Sequence, residues 1–458
     1  MLLSTGMKAV VVGLGKSGLA AVSYLHRQGF EVAVSEYRDL DQMSAEELAV
    51  LGDCVVEVET GGHREKFFTG SDLIVASPGV PPDLPVLAAA RSRGVPVLGE
   101  LALAAGHINV PVIAVTGSNG KTTVTSLIGH LLQAAGEKVF VGGNIGTPVL
   151  EYLLDPGDSR VLVLEVSSFQ LESAGSFRPD IGLLLNLSAD HLDWHGSMEA
   201  YAGAKRKLFA HQGATDIAII GADDPLIMAD PVETAGIIYR FGTKPGCRAM
   251  VAEQSVLLEP GFDSEGQDEV YDLTATRLTS RVNCYNAAAA ILTARSFGCS
   301  QEDIRAGLAD YQPPEHRMTP VVDINGIHFV NDSKATNVGA VIAALAGFKK
   351  NVVLIAGGRD KGSDFSTLRP AVQKHVKHLV LIGEAGADLA RALAGIVEFE
   401  SAETMGDAVG LAFAAAEKDD TVLLAPACAS FDMFDNYGQR GRVFTECVHN
   451  LRTRIERS

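Results

Sequence analysis

Short apolar runs rich in Val, Ile and Leu alternate along the chain with longer stretches in which Ala and Leu recur at helical spacing. The runs predict buried strands, whereas stretches such as SGLAAVSYLHRQG and LPVLAAARSRG predict amphipathic helices that end near glycine. Strands that alternate with helices over short connections form a mostly parallel, helix-covered sheet, so the predicted fold class is α/β. The predicted strands are residues 8–13, 31–35, 73–77, 95–99, 112–117, 161–168, 181–188, 217–224, 327–333, 351–358, 378–384 and 421–427.

This pattern is interrupted near residue 106 and again near residue 314, where YQPPEHR contains two prolines. A chain of 458 residues has room for about three domains of roughly 150 residues each. The predicted domains are therefore residues 1–106, 107–314 and 315–458. The less regular stretch 244–280 predicts an antiparallel set of strands inside the middle domain.

Composition narrows the range of partners. The 38 basic residues against 56 acidic ones give a net charge of −18, which argues against nucleic acid or an anionic membrane as the partner. No run of about 18 apolar residues is present, so no membrane span is expected. The start, MLLSTGMKAV, has no basic region before an apolar one, so no signal peptide is expected either. Six scattered cysteines fit a reduced, cytoplasmic location.

A glycine loop, GSNGKTT (117–123), follows the apolar run PVIAV. Glycines allow successive backbone N–H groups to surround phosphate oxygens, Lys121 supplies a charge to the outer phosphates, and the Thr122 hydroxyl is a ligand for Mg²⁺. The loop is shorter than the standard P-loop, because Val115 stands where its first glycine is expected. The alternative is a strand-to-helix turn without a ligand. Loop residues predicted to bind phosphates are Gly117, Ser118, Asn119, Gly120, Lys121, Thr122 and Thr123.

An earlier loop, GLGKSG (13–18), fits the dinucleotide fingerprint G-x-G-x-x-G. Glu36, at the end of the next predicted strand, is placed to accept a hydrogen bond from a ribose hydroxyl. The second glycine loop begins only about a hundred residues later, which leaves too little chain for the second half of a dinucleotide fold. The pattern predicts a site for a single nucleotide or a ligand-free packing turn, and an NAD-dependent dehydrogenase is the remaining alternative.

Acidic residues and histidines follow two of the predicted strands in the middle domain. Glu165 lies near the end of the strand predicted within the run 161–168, at the carboxyl edge of the sheet, where it can reach Mg²⁺. The alternative is a helix N-cap or a surface acid. The next run leads to Asp190, His191, Asp193 and His195 at the same edge. We interpret this cluster as facing a ligand and as a second, oxygen-rich Mg²⁺ site, not as a zinc site.

Together these motifs resemble the ATP-dependent Mur ligases, and the resemblance extends over essentially the whole chain. It implies an N-terminal Rossmann-like domain that binds the UDP part of the substrate, a central P-loop ATPase-type domain with a mostly parallel sheet, and a C-terminal Rossmann-like domain for the incoming amino acid. It also implies a cytoplasmic ligase of peptidoglycan precursor synthesis. The motifs are GSNGKTT (117–123), GGNIG (142–146), LEVSSFQ (164–170), DHLDWHG (190–196) and YAGAK (201–205).

The resemblance also implies roles for residues around ATP and Mg²⁺. Lys205 matches a lysine that the family carries as a carbamate, which turns a cation into a metal-binding carboxylate. Without the resemblance, the sequence around Lys205 indicates only a solvated cation. Two Mg²⁺ sites are expected, with Thr122, Glu165, His191 and carbamylated Lys205 as ligands. Residues expected to bind ATP besides the loop are Asn144, Asn283, Asn286, Arg317 and Asp332. Val282 stands where the family usually has His.

The resemblance implies that the first loop, GLGKSG, binds the diphosphate of the UDP-substrate. Where the family members that add D-glutamate commonly have Asp-Thr-Arg, this chain has Glu36-Tyr37-Arg38. Residues expected to bind the UDP-substrate are Gly15, Lys16, Ser17, Glu36, Arg38, Gly79, Asn144 and His191.

In the last domain, NDSKATN (331–337) is similar to the signature of the D-glutamate-adding members; by itself, Asn-Asp-Ser is also an ordinary helix cap. The implied substrates are UDP-N-acetylmuramoyl-L-alanine, D-glutamate and ATP, the implied catalytic residues are Lys121, His191, Lys205 and Lys334, and a monomer is expected. Alternatives are a sister ligase that adds another amino acid, a folylpolyglutamate synthase-like ligase, or a nucleotide-binding regulator without catalysis. Residues expected to hold D-glutamate are Lys334, Thr336, Lys361, Ser430 and Tyr437.

Overall fold

Three separate β-sheets, each flanked by helices, follow one another along the chain in the computed structural model. The structure describes residues 6–262 and 268–457. Residues 1–5, which begin the segment predicted to lack a signal peptide, lie outside the described residues. So do residues 263–267, which belong to the predicted antiparallel stretch 244–280.

The first sheet has five parallel strands in the order β3-β2-β1-β4-β5. Two short strands, β4 and β5, lie on the far side of β1, whereas a complete second half of a dinucleotide fold has three. The strands are β1 (Lys8–Val12), β2 (Glu31–Ser35), β3 (Glu57–Glu59), β4 (Leu73–Ala76) and β5 (Val97–Leu98). The helices are α1 (Lys16–Arg27), α2 (Ala45–Cys54), α3 (Pro85–Ser92) and α4 (Glu100–Ala104).

The second sheet has nine strands in the order β14-β13-β12-β11-β10-β9-β6-β8-β7. Its strands are β6 (Val112–Thr116), β7 (Val139–Gly143), β8 (Val161–Glu165), β9 (Ile181–Leu184), β10 (Ile217–Gly221), β11 (Ile237–Gly242), β12 (Ala249–Ala252), β13 (Ser255–Leu258) and β14 (Glu269–Asp272). The pairs β12–β13 and β13–β14 are antiparallel, which confirms the antiparallel set predicted for this region. Its helices are α5 (Lys121–Ala134), α6 (Val149–Leu154), α7 (Ser168–Glu172), α8 (Leu192–His195), α9 (Met198–Arg206), α10 (Pro225–Ala229), α11 (Arg281–Phe297) and α12 (Gln301–Asp310).

The third sheet has six strands in the order β15-β16-β20-β17-β18-β19, and its β15–β16 pair is antiparallel. The strands are β15 (Thr319–Ile324), β16 (Ile327–Asn331), β17 (Val352–Gly357), β18 (Val376–Ile382), β19 (Phe399–Ser401) and β20 (Thr421–Leu424). The helices are α13 (Val338–Leu345), α14 (Arg369–His375), α15 (Gly386–Leu393), α16 (Met405–Ala415) and α17 (Tyr437–Glu456).

One hydrophobic core joins the first sheet to the second. Leu101 on α4 belongs to the same buried cluster as Leu150 on α6 and Leu171 on α7. The third sheet has buried clusters of its own on its two faces. The first two units are therefore packed as one body, whereas the third meets the second through α13 and through loops at its carboxyl edge. The boundaries at residues 106 and 314 stay predictions.

Every run predicted as a strand overlaps an observed strand, because a continuous apolar stretch buries both faces of a central strand. The strands missing from the prediction are short, polar or glycine-containing: β3, β7, β11, β15 and β19. Within the described part of the chain, no helix combines the length and apolar character needed to cross a bilayer.

Candidate active site

The loop GSNGKTT lies at the carboxyl end of β6, which is flanked by β8 and β9. The chain passes to one side of β6 for β7 and β8 and then crosses to β9, and such switch points form crevices for ligands. Gly120 has φ +87°, and a Cβ there would lie 2.5 Å from Asn286 Oδ1, so only glycine fits. The helix α5 begins at Lys121, and its free N–H groups favour an anion at this position.

Two lysines converge on the same carbonyl of this loop. Lys121 Nζ donates to Gly117 O at 2.8 Å and to Ser118 O at 3.0 Å, while Lys205 Nζ donates to Gly117 O at 2.9 Å. Burial lowers the pKa of Lys121, and it lowers the pKa of Lys205 well below the usual lysine value. Lys205 Nζ also lies 4.6 Å from the centre of the Tyr201 ring. The Lys205 amine therefore loses its proton more readily than a surface lysine.

Glu165 ends β8 in the same crevice and is 2% exposed. Its Oε1 accepts a hydrogen bond from Asn144 Nδ2 at 2.8 Å. Its Oε2 is buried and has no hydrogen-bond partner among residues 6–262 and 268–457. Because buried polar atoms normally have a partner, this oxygen is a candidate ligand for a cation. One cavity of about 440 Å³ is lined by all four predicted metal ligands: Thr122, Glu165, His191 and Lys205.

This donor set fits Mg²⁺ only in part. No group of three or more His, Cys, Asp or Glu side chains in the described ranges is arranged to hold a metal ion. Mg²⁺ prefers oxygen ligands and usually takes few from the protein, with the rest from water and substrate phosphates. Glu165 and Thr122 supply such oxygens here, and a carbamate on Lys205 would add another. The second Mg²⁺ site stays a prediction.

The cluster after β9 divides into two parts. His191 lines the cavity and has φ +55°, and burial lowers its pKa, so its ring is neutral and able to act as a ligand. His195 points inward: its Nε2 lies 3.0 Å from Ser168 Oγ, its Nδ1 lies 3.2 Å from Glu172 Oε1, and its side chain is 0% exposed. Asp193 is exposed and away from the cavity lining. The interpretation of the whole cluster as ligand-facing is therefore wrong for His195 and Asp193.

The third domain contributes four of its five predicted D-glutamate-binding residues to the same cavity. Together with the loop GSNGKTT, this cavity is lined by Lys334, Thr336, Lys361 and Tyr437. Lys334 Nζ lies 4.2 Å from the centre of the Tyr437 ring, a contact that Phe would also make, so the extra hydroxyl is not needed for it. Burial, reinforced by the charges of Arg317 and Lys121, lowers the pKa of Lys334 to about 8.

Arg317 lies between two residues with left-handed backbone, His316 (φ +63°) and Met318 (φ +52°). It lines the cavity as well. Asp332 Oδ1 accepts a hydrogen bond from the Met318 backbone N–H at 3.1 Å, and burial raises the pKa of Asp332 to about 7. In this structure Asp332 thus holds the backbone at Met318, next to Arg317, and its predicted contact with ATP stays a prediction. Ser430 is buried but is not part of the cavity lining.

A second cavity of about 410 Å³ adjoins the ATP loop at Asn119 and Gly120. Its wall is mainly apolar and includes Asn286 and Val282. Asn283 is not in the lining; its Oδ1 accepts from Asn286 Nδ2 at 3.2 Å and so orients that amide. The cavity suits a flat heterocyclic base next to the phosphate loop, with Val282 as an apolar contact in place of His.

Six of the eight predicted UDP-binding residues follow strands of the first sheet at its carboxyl edge, whereas Asn144 and His191 line the 440 Å³ cavity of the second domain. Gly15, Lys16 and Gly79 are exposed at the edge of the first sheet. Glu36 is tied within the protein, because its carboxylate accepts from the Leu14 backbone N–H at 2.6 Å and from the Arg38 backbone N–H at 3.0 Å.

Some of these side chains also bind neighbouring acids. Arg38 Nη2 donates to Glu47 at 2.8 Å. Ser17 Oγ donates to Glu100 at 2.5 Å, and Glu100 is a buried acid that the motifs did not indicate. No nucleotide fingerprint includes this position, so only the fold could identify it.

Two further residues escaped prediction. Arg440 is 1% exposed and donates to Ser333 Oγ, Ser333 O, Cys428 O and Ala429 O, so it joins two loops of the third domain. Asn337 contacts Asn119 and Asp190 across the domain boundary. Asn337 ends the stretch NDSKATN, which was quoted for other residues, and nothing in the spacing of either residue indicates these contacts.

Solved structures share this architecture. The MurF ligase from Thermotoga maritima in complex with ADP has a TM-score of 0.61 at 18% identity, covering 98% of this chain and 96% of that one. A pseudomurein peptide ligase type C from Methanothermus fervidus has a TM-score of 0.60 at 16% identity, covering 97% and 100%. At such identities the similarity shows the fold.

Three family models match successive parts of the chain: a MurD-like N-terminal domain of Mur ligases at residues 7–99, a Mur ligase middle domain at 115–294 and a Mur ligase, glutamate ligase domain at 316–428. The UDP-N-acetylmuramoylalanine–D-glutamate ligase of Desulfotalea psychrophila is 49% identical, covering 96% of this chain and 95% of the relative. The ligase of the same name from Acidobacterium capsulatum is 44% identical, covering 97% and 96%. The chain therefore belongs to the Mur ligase family of ATP-dependent ligases.

Proposed function

We propose that this enzyme joins D-glutamate to UDP-N-acetylmuramoyl-L-alanine at the expense of ATP, a step in the synthesis of the peptidoglycan precursor. The observation that carries the proposal is the shared cavity: the phosphate loop and the cations Lys334 and Lys361 of the third domain line the same 440 Å³ space. Relatives at 44–49% identity over nearly their full length bear the name of this activity.

The reaction requires activation, because an amine cannot displace hydroxide from a carboxylate. The alanyl carboxylate of the UDP-substrate attacks the γ-phosphorus of ATP, which gives an acyl phosphate and ADP. The amine of D-glutamate then attacks the acyl carbon and phosphate leaves, with loss of the amine proton. Because the first step spreads charge over phosphate oxygens, it needs positioning and charge neutralisation more than covalent help.

The residues divide between these steps. Lys121 at the start of α5 neutralises the γ-phosphate, for which it must leave the Gly117 carbonyl. Lys334 and Lys361, which bring positive charge to the cavity, and Thr336 hold the carboxylates of D-glutamate. Gly15, the exposed glycine of the first loop, lets backbone N–H groups approach the UDP diphosphate, with Lys16 as the nearby cation.

Mg²⁺ would be held by Glu165, Thr122, His191 and a carbamate on Lys205. The unpartnered Oε2 of Glu165 supports this placement. When bound, the ion neutralises phosphate charge. The carbamate would also add a metal ligand to a site that lacks one, since the described residues offer no group of three acidic or imidazole ligands here. We also propose that the enzyme is a monomer and that it acts in the cytoplasm.

The activity is tested by incubating the protein with ATP, Mg²⁺ and UDP-N-acetylmuramoyl-L-alanine and measuring phosphate release with D-glutamate, L-alanine or L-lysine. We expect release that depends on D-glutamate. Release with another amino acid instead would identify a sister ligase, and ATP binding without any amino-acid-dependent release would identify a regulator.

The carbamate is tested with Lys205→Ala, and with Lys207→Ala on the neighbouring exposed lysine as control. We expect Lys205→Ala to lower kcat by about a thousandfold, as loss of a charge-stabilising group does, and formate or acetate to restore part of the rate. Lys207→Ala should keep the wild-type rate. Full activity of Lys205→Ala without any added carboxylate would exclude the role.

A further inference from the structure

The N-terminus of α13, in the third domain, contacts the ATP loop of the second. Asn337 Nδ2 donates to Asn119 Oδ1 at 3.2 Å, and Asn119 Nδ2 donates back to Asn337 Oδ1 at 3.4 Å. Asn337 also caps α13, because its Oδ1 accepts from the Ala340 backbone N–H at 2.8 Å. The two amides thus tie the phosphate loop directly to the domain that carries the amino-acid-binding lysines.

The same amide reaches a second acceptor across the boundary. Asn337 Nδ2 donates to Asp190 Oδ2 at 3.0 Å, while Lys361 Nζ lies 3.5 Å from the other oxygen, Oδ1. Asp190 belongs to the second domain, and both donors belong to the third. One carboxylate therefore holds the capping amide and an amino-acid-binding lysine at once.

A glycine makes this approach possible. At Gly339, in the first turn of α13, a Cβ would lie 2.3 Å from Ser188 Oγ and 2.5 Å from Ser188 Cβ. Alanine is a better helix former than glycine, so the helix alone does not favour glycine at this position. The close contact with Ser188 of the second domain does.

We propose that Asn337 is a positioning residue: with Gly339 it forms a latch on Asn119, Ser188 and Asp190 that docks the third domain and fixes Lys361 for the incoming amino acid. The proposal rests on the proposed function for the role of Lys361. The latch itself is a contact between two domains and does not depend on which amino acid is the substrate.

Two substitutions at Asn337 separate the latch from the helix cap. Asn337→Ser keeps a good capping oxygen but lacks the amide, and Asn337→Asp keeps the cap while placing a second carboxylate beside Asp190. We expect both substitutions to raise KM for D-glutamate by about ten- to a hundredfold, because each removes hydrogen bonds that involve the charged Asp190. The increase should be larger for Asn337→Asp than for Asn337→Ser. KM for the UDP-substrate should change less than about threefold. Asn351→Ser, which removes an amide bonded to Asp419 O within the third domain, is the matched control.

Gly339→Ala tests the docking while leaving the Asn337 side chain intact: the added Cβ would press on Ser188, whose Oγ accepts from Asn119 Nδ2 at 3.2 Å. Small-angle X-ray scattering of the full chain, without amino acid, should show a larger radius of gyration for Gly339→Ala and Asn337→Asp than for the wild type and Asn351→Ser. If D-glutamate proves not to be the substrate, the wild type releases no D-glutamate-dependent phosphate, yet the scattering still reports on the latch. An unchanged radius for both variants, or equal increases of KM for both substrates, would overturn the proposal.

Discussion

Gly15 and Gly18 belong to the same fingerprint but meet different surroundings. A Cβ on Gly18 would lie 2.0 Å from Gly13 O and 2.8 Å from Ser77 Oγ, whereas a Cβ on Gly15 would have no atom within 4 Å. Gly18 is therefore required by packing of α1 against the loop. Gly15 is left open toward the solvent, where a diphosphate can approach the backbone.

The two positions should respond differently to alanine. We expect Gly18→Ala to lower the free energy of unfolding by about 1–3 kcal/mol through overpacking, and Gly15→Ala to lower it by less than about 1 kcal/mol. Gly15→Ala should instead weaken binding of the UDP-substrate, measured by calorimetry. A Gly15→Ala protein with wild-type affinity would show that the diphosphate does not pass this residue.

Lys334 gives the site a pH dependence. Since burial and the charges of Arg317 and Lys121 lower its pKa to about 8, Lys334 is charged below pH 8 and loses its charge as the pH rises through that value. We expect kcat/KM for D-glutamate to fall above pH 8 relative to Lys334→Arg, whose guanidinium stays charged. The titration of the substrate amine affects both pH profiles equally, so it cancels when the wild-type profile is divided by that of Lys334→Arg. A constant ratio between pH 7 and 9.5 would contradict this assignment.

At the scale of elements, two loops of the third sheet are placed by one side chain from α17. Arg440 bonds the loop after β16 through Ser333 and the loop after β20 through Cys428 and Ala429. The first of these loops carries Lys334 and Thr336. Burial lowers the pKa of the Arg440 guanidinium to about 10, so it remains charged at neutral pH.

Replacing Arg440 by Met would remove the side-chain donor of the buried carbonyl groups of Ser333 and Cys428, while Ala429 O would keep the Arg359 backbone N–H. We expect Arg440→Met to reduce the free energy of unfolding in urea by about 3 kcal/mol and to raise KM for D-glutamate. Arg442→Met, on an exposed position of the same helix, should change stability by less than about 0.5 kcal/mol. Equal stability of the two variants would rule out the bracing role.

At the scale of the whole molecule, the first two domains share a core and a buried acid. Glu100 accepts from Ser17 on α1 at 2.5 Å and from the Leu150 backbone N–H on α6 at 3.4 Å. Burial raises its pKa above the usual value of 4.5 despite these hydrogen bonds. Its ionised form thus costs stability in the folded protein.

Glu100→Gln keeps the side-chain shape without the charge. Because the folded pKa is raised, the stabilising protonated state is fully present below about pH 4.5 and is lost as the pH rises through the folded pKa. We expect the difference in Tm between Glu100→Gln and wild type to shift in favour of the variant across that range, by calorimetry. Glu46→Gln, on an exposed position of α2, should show no such trend, and a pH-independent difference for Glu100→Gln would contradict the raised pKa.

The sequence by itself determined the fold class, the central strands and most of the residues around the phosphate loop. Apolar runs such as VIAVT can be buried on both faces only in a central strand, and the carboxyl edge of a parallel sheet then collects whatever follows each run. This is why Lys121, Glu165 and His191 were found from local patterns. Short or polar strands such as β3 and β19 escaped because their local signal is weak.

Only the tertiary structure decided which side chains face each other across distant parts of the chain. His195 and His191 are four residues apart, yet one is packed against Glu172 and the other lines the cavity. Asn337 meets Asn119 although 218 residues separate them. Such contacts depend on how whole domains pack, and packing is set by the sum of many weak interactions that no short motif encodes.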